Sequence, residues 1–579
     1  MKFLACFLLK DIAIRSLAVH GSKPCATPSR TFGQVVKSSV VQLAFLWGAS
    51  SLAQANPDPR DYPDPGQLGK DIIQQELRLR DKEKKQNVPA ITEEALPEES
   101  AEDNGPSFLL KGIRFTKSVH LTQEELASII RPKLGKPITY KGLQNILTEV
   151  NSLYRHKNIY TAVAVFPEQT VQDGTVVIRL VEGSIGEIAV EGNDYTEDAY
   201  FRQWLNHEEY QEAINVEALE RDILFYNRLH DQRLQAELRA GKAFGLTDIV
   251  ITASENSRNI GSLYLDNYGN ESTDEMQVSG LYQRQQLFRP GDKALFYGLA
   301  SKGLKSISTS YNTVLGTSGW KLGGSFQYTD SELIEGDFAD QGVTGDSLRY
   351  GLEASYLVYS ETNIWANLLA TINSTYSKNN IRVDLISDYK TNQYQLGGEV
   401  NWLGDQWQLS GRLLYSSVDS KEKALGSHRK INLFSPRATF IYNFDSPFYA
   451  LSVLEMQLTS EKAIPGAVSF SLGGPSTLRG YKPGIVSGDK GWYQQIELHY
   501  NGFTYNEYQF DLFGFYDHGQ VESSLQEAKQ SMASLGAGIR ISGNEWLALD
   551  LTIANALKDV VPDQDSTRLY ARVSCTCWD

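Results

Sequence analysis

The sequence predicts two α+β repeats of β-α-α-β-β order, followed by a transmembrane antiparallel β-barrel of about 16 strands. Three observations carry this prediction: an N-terminal export signal, periodicities that recur in the same order over residues 107–255, and short alternating segments over residues 256–579. The composition agrees with a β protein, since Gly (47) and Tyr (30) are abundant while Met (4) and Cys (4) are scarce. The formal net charge of -15 gives a nucleic-acid partner little electrostatic support.

Residues 1–55 are typical of a secretory signal. Basic residues precede a short apolar stretch at Val40–Trp47, and a small-x-small cleavage pattern follows at Ala53 and Ala55. We expect cleavage after Ala55. The alternative is an uncleaved membrane anchor, but the apolar stretch is too short to span a bilayer. No later segment approaches about 18 uninterrupted apolar residues, so we expect any passage through a membrane to use strands.

Residues 56–106 join the signal to the first repeat. Proline recurs through residues 56–65 and predicts an extended leader, whereas the proline- and acid-rich residues 87–106 predict a mobile linker. Between them, residues 66–86 predict an amphipathic helix. Its apolar stripe includes Leu68, Ile72, Ile73 and Leu77. A helix between two flexible segments must dock elsewhere or stay solvated without a function, and helix physics leaves both possibilities open.

Residues 107–182 and 183–255 repeat one β-α-α-β-β plan. In the first repeat, the predicted elements are the strand Phe108–Phe115, the helix Gln123–Ile130, a longer helix with its apolar face from Leu143 to Tyr154, and the strands Ile159–Phe166 and Val171–Val181. In the second repeat, they are Ile185–Val190, Glu197–Leu205, Val216–Leu229, Leu234–Leu238 and Leu246–Ile251.

Beyond residue 255, helical periodicity stops and apolar and polar side chains alternate. One segment sets Ile496, Leu498 and Tyr500 on one face against Gln495, Glu497 and His499 on the other. In a soluble sandwich the apolar face would be the core, whereas in an outer-membrane barrel it would face lipid, and alternation alone cannot separate the two. Roughly 324 residues, at about 20 for each tilted strand and its loop, give about 16 strands and favour the barrel.

Two short segments carry the predicted site, the loop Gly473–Tyr481 and the strand Phe513–Gly519. Alternation along the strand directs Asp517 into the lumen, while the loop carries one cation, Arg479. An unpaired guanidinium in a confined lumen is costly, and arginine binds carboxylates bidentately. We therefore expect Arg479 to pair with Asp517, with Glu497 as a second candidate, rather than to remain a solvated loop residue.

The acidic residues near His499 and His518 raise the possibility of an enzyme. No Ser or Cys nucleophile motif accompanies them, and no HExxH spacing occurs. We therefore expect no catalytic activity, no cofactor and no metal, and interpret both histidines as polar residues that line the lumen.

The loop Leu478-Arg479-Gly480-Tyr481, the strand from Phe515 to Gly519 and the two repeats resemble the two-partner secretion transporters, the haemolysin and adhesin exporters within the outer-membrane insertase superfamily. The segment Asp266–Asn270 also resembles that family, and the likeness covers nearly the whole mature chain. It implies two periplasmic POTRA-like repeats, a barrel of about 16 strands, and a plug formed by residues 66–86. It also implies a loop that folds into the lumen and is locked there. The residues so implied are Leu478, Arg479, Gly480 and Tyr481 in the loop, and Phe515, Asp517 and Gly519 on the wall, where Glu497 is the further candidate named above.

The resemblance implies secretion of a large partner polypeptide with an N-terminal secretion domain, of haemolysin, adhesin or contact-dependent toxin type. No Walker-type GxxxxGK[ST] sequence occurs, so we expect export without ATP, driven by folding of the partner at the cell surface. An unfolded chain would add a strand to an exposed repeat edge. The expected edge residues are Ile159, Tyr160, Val163, Val165, Leu234 and Leu238. Outer-membrane lipids and the barrel assembly machinery are further expected partners.

Two alternatives share this architecture. An insertase that assembles other barrels resembles the same superfamily but usually carries more repeats, and a plain diffusion porin would carry none. The last predicted strand, Thr567–Trp578, departs from the family because Cys575 and Cys577 stand where an outward aromatic is expected. Thiols two residues apart share a strand face but sit poorly for a disulfide, so no bridged framework is implied.

Overall fold

The computed structural model describes residues 91–93 and 107–578, apart from residues 158, 160–161, 172, 206–215, 244–245, 256, 337–338, 525–527, 544–545 and 563. The predicted signal, leader and plug helix lie outside the described residues, as does Tyr160. In the described part of the linker, residues 91–93 form the strand β1 (Ile91–Glu93), so the expectation of a wholly mobile linker was wrong.

The first repeat folds in the predicted order, but the predicted strand Phe108–Phe115 is interrupted at residues 110–111 and the predicted strand Val171–Val181 begins only at Thr175. Its elements are β2 (Phe108–Leu109), β3 (Gly112–Phe115), α1 (Gln123–Ile130), β4 (Pro137–Ile138), α2 (Tyr140–His156), β5 (Ala162–Val165) and β6 (Thr175–Glu182). A capping box starts α1: Thr122 accepts a hydrogen bond from the Glu125 backbone N–H, and the Glu125 carboxylate accepts one from Thr122 N–H. Helix α2 buries Leu143, Ile146, Val150 and Tyr154 against the sheet β3-β6-β5.

The second repeat has the same connections. Its elements are β7 (Ser184–Glu191), α3 (Asp198–Arg202), α4 (Val216–Leu229), β8 (Arg233–Ala240) and β9 (Leu246–Ser254). In both repeats the first long strand pairs parallel with the last, and the last pairs antiparallel with the strand before it. Among the helices that the structure describes, none is long and apolar enough to cross a membrane.

The barrel begins directly after the second repeat. Its strands are β10 (Asn259–Asp266), β11 (Gln277–Gln285), β12 (Lys293–Ala300), β13 (Leu304–Leu315), β14 (Trp320–Glu332), β15 (Val343–Ser360), β16 (Ile364–Ile381), β17 (Asp384–Leu403), β18 (Trp407–Glu422), β19 (Ser427–Asn443), β20 (Phe448–Gln457), β23 (Lys490–Tyr505), β24 (Tyr508–Ser523), β25 (Ala528–Gly543), β26 (Leu547–Ala556) and β27 (Thr567–Trp578). A separate hairpin, β21 (Phe470–Leu472) and β22 (Val486–Gly488), interrupts this series. Neighbouring barrel strands are antiparallel, and β27 pairs with β10 to close a barrel of 16 strands.

The burial of the side chains decides between the barrel and the soluble sandwich, a choice that the alternation of the sequence had left open. On β23, Ile496 and Leu498 are 43% and 51% exposed on the outer face, whereas the inward Gln495 and Glu497 are 0% and 3% exposed. A soluble sandwich would reverse this pattern, because its apolar face would be the buried one. An apolar outer face around a polar interior is the arrangement of an outer-membrane barrel.

The repeats fix the direction of the barrel strands. Strand β10 starts at the second repeat, so the short turns after every second strand lie at the repeat end, and residues 458–489 lie at the opposite end. The second repeat packs on these turns: the Arg228 guanidinium lies 3.5 Å from the Trp365 ring centroid, and Lys293 pairs with Asp231 at 2.6 Å. At the last strand, Cys575 is fully buried, lies across from Leu547 and Leu263, and has its sulphur 3.7 Å from that of Cys577.

Candidate functional site

The predicted loop lies inside the barrel. We call residues 470–488, which comprise β21, β22 and their connection, the lid. The lid leaves the wall after β20 and returns to it at β23, two strands that pair directly with each other. Positive φ angles at Gly473 (111°) and Gly474 (94°) form the turn into the connection, where a side chain would be strained. Leu478 and Tyr481 are fully buried and Arg479 is 4% exposed.

Arg479 is held by two carboxylates on adjacent wall strands. Its Nε donates to Asp517 Oδ2 at 2.9 Å and its Nη2 donates to Asp517 Oδ1 at 2.5 Å, while its backbone N–H donates to the same carboxylate at 3.1 Å. Its Nη1 lies 3.0 Å from Glu497 Oε1, and the guanidinium lies 3.5 Å from the Phe515 ring centroid. The structure therefore brings the predicted cation together with both predicted carboxylates.

The two glycines of the site allow the lid and the wall to approach closely. A Cβ at Gly480 would lie 2.7 Å from Ser534 Cβ and 2.7 Å from the Ala556 backbone nitrogen. A Cβ at Gly519 would lie 2.6 Å from the Trp492 carbonyl oxygen and 3.1 Å from Leu472 of the lid. A side chain at Gly480 would push the lid off the wall, whereas one at Gly519 would clash first with the neighbouring wall strand and would also crowd Leu472 of the lid.

Tyr481 ties the lid to the last strands of the barrel. Its hydroxyl lies 2.9 Å from the carbonyl oxygens of both Ala533 and Lys558, and its own carbonyl accepts a hydrogen bond from the Tyr570 hydroxyl at 2.7 Å. The tip of the lid thus contacts wall residues from β23 through to β27.

The segment Asp266–Asn270, noted only for its resemblance, follows the strand next to β27 and also contacts the lid. The Asn270 side chain donates to the Pro483 carbonyl at 2.9 Å, and Lys482 pairs with the adjacent Glu271 at 2.5 Å. Asp266 pairs with Arg572 at 3.0 Å across the closure between β10 and β27, and neither side chain is more than 9% exposed. Sequence reasoning missed these contacts because their partners lie hundreds of residues apart.

The two histidines occupy opposite faces of the wall. His499 is 5% exposed in the lumen, as expected. His518 follows the inward Asp517 by one residue and stacks on Tyr516, which is 39% exposed on the outer face. The interpretation of His518 as a lumen residue was therefore wrong, because successive side chains on a strand point to opposite faces.

The predicted docking edges differ from the expectation at both repeats. Strand β5 starts at Ala162, so Ile159 precedes it; the Ile159 N–H instead donates to the Tyr154 carbonyl at the end of α2. Val163 and Val165 lie in β5, which pairs with β6 along one of its two edges. Strand β8 contains Leu234 and Leu238, but β1 pairs parallel with its outer edge at residues 236–238. An asparagine of each long helix also caps its edge strand: Asn151 accepts from Ala164 N–H and Asn227 accepts from Leu234 N–H, both at 2.7 Å.

A barrel with an apolar outer face, two small α/β repeats at one end and a lid anchored in the lumen defines an outer-membrane β-barrel protein of the class that carries such repeats ahead of the barrel. Residues 245–541 match the family described as haemolysin secretion/activation protein ShlB/FhaC/HecB, and residues 108–183 match the POTRA domain of ShlB type. The chain belongs to this family. It is a two-partner secretion transporter of the outer membrane, with its POTRA region in the periplasm.

Two named relatives are similar in sequence to this chain over most of its length. The heme/hemopexin transporter protein HuxB of Haemophilus influenzae is 22% identical over 92% of this chain and 97% of its own length. The outer membrane transporter CdiB of Dickeya dadantii is 22% identical over 89% of this chain and 94% of its own length. The solved structure of CdiB from Escherichia coli covers 88% of this chain and 99% of its own, with a TM-score of 0.64 at 20% identity, and shares the fold.

Proposed function

We propose that the chain secretes a large partner polypeptide, of haemolysin, adhesin or contact-dependent toxin type, through its lumen after the lid has moved. The observation that carries the proposal is the lid itself, anchored inside the barrel by Arg479 between Asp517 and Glu497. A buried ion pair of this kind costs several kcal/mol to desolvate and is a weak way to gain stability. It is well suited to hold one loop in one of two positions.

The partner first docks on the POTRA region as an added strand, through an N-terminal secretion domain. The edge of β5 that faces away from β6 is the better of the two predicted sites, because β1 already pairs with β8. Ala164 N–H is capped by Asn151 on that edge, so pairing starts at the Ala162 end of β5. Residues 66–86 act as a plug, and the barrel contacts outer-membrane lipids and is inserted by the barrel assembly machinery.

Transport involves no ATP, cofactor or catalytic step and is driven by folding of the partner at the surface. An insertase role has less support, because the chain carries two repeats and its closure is joined by a buried Asp266–Arg572 pair.

Two experiments test the proposal. Arg479→Ala should abolish surface appearance of the partner while the barrel remains folded on a heat-modifiability gel, because transport requires the lid to alternate between two defined positions and the variant has lost the anchor of one of them. We call the pairing of Arg479 with Asp517 and Glu497 the lock, and normal secretion by the variant would contradict it. Deleting residues 66–86 should raise the single-channel conductance in planar bilayers, and an unchanged conductance would remove the plug.

A further inference from the structure

A buried histidine lies beside the lock and contacts carboxylates through both ring nitrogens. His499 Nε2 lies 2.9 Å from Glu497 Oε2, and His499 Nδ1 lies 3.0 Å from both oxygens of Asp511. The ring stacks between Tyr449 (4.3 Å between centroids) and Phe513 (5.0 Å). Nothing in the sequence motif of the lid pointed to this residue.

The contacts of the two ring nitrogens indicate the charge of the ring. Carboxylate oxygens accept hydrogen bonds, so a ring nitrogen that bonds a carboxylate carries a hydrogen, and an imidazole with hydrogens on both nitrogens is a cation. The Tyr449 hydroxyl also lies 2.9 Å from His499 Nδ1, but it has one hydrogen, which it donates to Asp511 Oδ2 at the same distance, so Nδ1 takes the role of donor. Glu497 then lies between two cations, since its Oε1 contacts Arg479 and its Oε2 contacts His499. Arg479 is therefore the first member of a row of side chains whose charges alternate in sign.

This row of charged side chains continues toward the repeat end of the barrel and around the wall. From Arg479 it passes through Glu497 and His499 to Asp511, whose carboxylate also accepts from the Tyr449 hydroxyl at 2.9 Å. Both Tyr449 and Asp511 lie near the starts of their strands, at the repeat end. Asp511 is the cross-strand neighbour of Arg540, Arg540 pairs with Asp550 at 2.6 Å, and Asp550 is the cross-strand neighbour of Arg572. Arg572 pairs with Asp266, so alternating charges reach from the lock to the closure of the barrel.

We propose that His499 is a positioning residue of the lock: as a cation it holds Glu497 against Arg479 and links the lid anchor to the charged wall at the repeat end. The inference rests on the proposed role of Arg479 in holding the lid. Without the histidine, Glu497 Oε2 loses its charged donor, and the carboxylate is free to turn away from the guanidinium. The lid would then depend on Asp517 alone.

The test compares opening frequencies in planar bilayers, with residues 66–86 deleted from every variant so that the proposed plug does not mask the lid. His499→Gln is the main variant, because a glutamine amide offers one donor side and one acceptor side and cannot donate to both carboxylates. His518→Gln is the matched control, since it makes the same exchange on the outer face of the neighbouring strand. We expect H499Q to raise the opening frequency about tenfold, because the variant loses one hydrogen bond to a charged group. We expect H518Q to match the unmodified chain.

A double-mutant cycle separates this role from simple structural support. If His499 acts through Glu497 on Arg479, H499Q should add nothing in an R479A background. An equal effect in both backgrounds, or no effect in either, would overturn the role of His499. If R479A alone left the opening frequency unchanged, the lock itself would be contradicted. That outcome can be distinguished from a failure of the role proposed for His499.

If H499Q does not yield a folded barrel, Asp511→Asn provides the second variant. Asparagine keeps the shape of Asp511 but withdraws the charge that holds the second ring N–H. D511N should raise the opening frequency, by a smaller factor than H499Q, and this rise should also vanish in R479A. An unchanged opening frequency in D511N would overturn the link to the charged wall.

Discussion

Asp517→Asn is the most informative single change in the lock, because asparagine has the same shape but no charge. Asp517 accepts two side-chain bonds and one backbone bond from Arg479, at 2.5 to 3.1 Å, and is fully buried. Removing one partner of a buried pair costs about 3–5 kcal/mol. Glu497 keeps its contact with Arg479 and the amide oxygen still accepts one bond, so we take the lower end, about 3 kcal/mol, which corresponds to a roughly 100-fold larger displaced population of the lid.

The assay is the open probability of the reconstituted chain in planar bilayers, measured in a variant that lacks residues 66–86 so that the proposed plug does not mask the lid. Asp445→Asn is the matched control, because Asp445 lies in an exposed turn at the repeat end and accepts a hydrogen bond only from the Gln406 side chain among the contacts of the described residues. A change below about threefold in D517N, with D445N unchanged, would refute the argument that the buried pair holds the lid.

Three further predictions concern the repeats. Ala162→Pro removes a backbone N–H that, by alternation from Ala164, faces the edge of β5 with which no described strand pairs, so partner binding should weaken about fivefold in a pull-down titration, whereas Ala162→Gly should bind normally. Thr92→Pro should release β1 from β8 and speed hydrogen exchange at the Leu238 amide about fivefold, and unchanged exchange would contradict the pairing. Burial lowers the pKa of His230 to about 4 from 6.5, so folding of the second repeat should lose stability as the pH falls from 6.5 toward 4, by about 2 kcal/mol at pH 5. Hydrogen exchange of α4 should accelerate accordingly, and His230→Phe should abolish this pH dependence.

Local signals were sufficient for the helices α1 and α4, whereas the predicted helix Glu197–Leu205 is observed only over Asp198–Arg202. Thr122 and Glu125 form the capping box that starts α1, and the helix Val216–Leu229 has the predicted bounds. The predicted start of β5 at Ile159 was wrong, because the Ile159 N–H donates a hydrogen bond to a carbonyl at the end of α2. The strand propensity of a segment does not take such contacts with a neighbouring element into account.

Strand β1 could not be expected from its own sequence. Residues 91–93 lie in a proline- and acid-rich segment, and they pair because β8 offers an unpaired edge. The partner, rather than the segment, determines the structure here.

In the lumen, alternation and charge complementarity were enough to predict the pairing of Arg479 with Asp517 and Glu497. The same alternation should have placed His518 outside, since it follows Asp517 directly. The contacts of Asp266 with Arg572 and of Glu271 with Lys482 depend on barrel closure and on the path of the lid, and neither is encoded in a local pattern.

The central claim, that the partner passes through the lumen only after the lid moves, can be tested by tethering the lid. Lys482 and Glu271 form a 2.5 Å ion pair between the lid and the first loop at the far end of the barrel, and both side chains are partly exposed. In a chain with Cys575→Ser and Cys577→Ser, the variants K482C and E271C would be joined on intact cells by a short bis-maleimide, with each single-cysteine chain as control. We predict that cross-linking stops the appearance of new partner protein at the surface and that the controls continue to secrete. Secretion at the unmodified rate through fully cross-linked barrels would contradict the account.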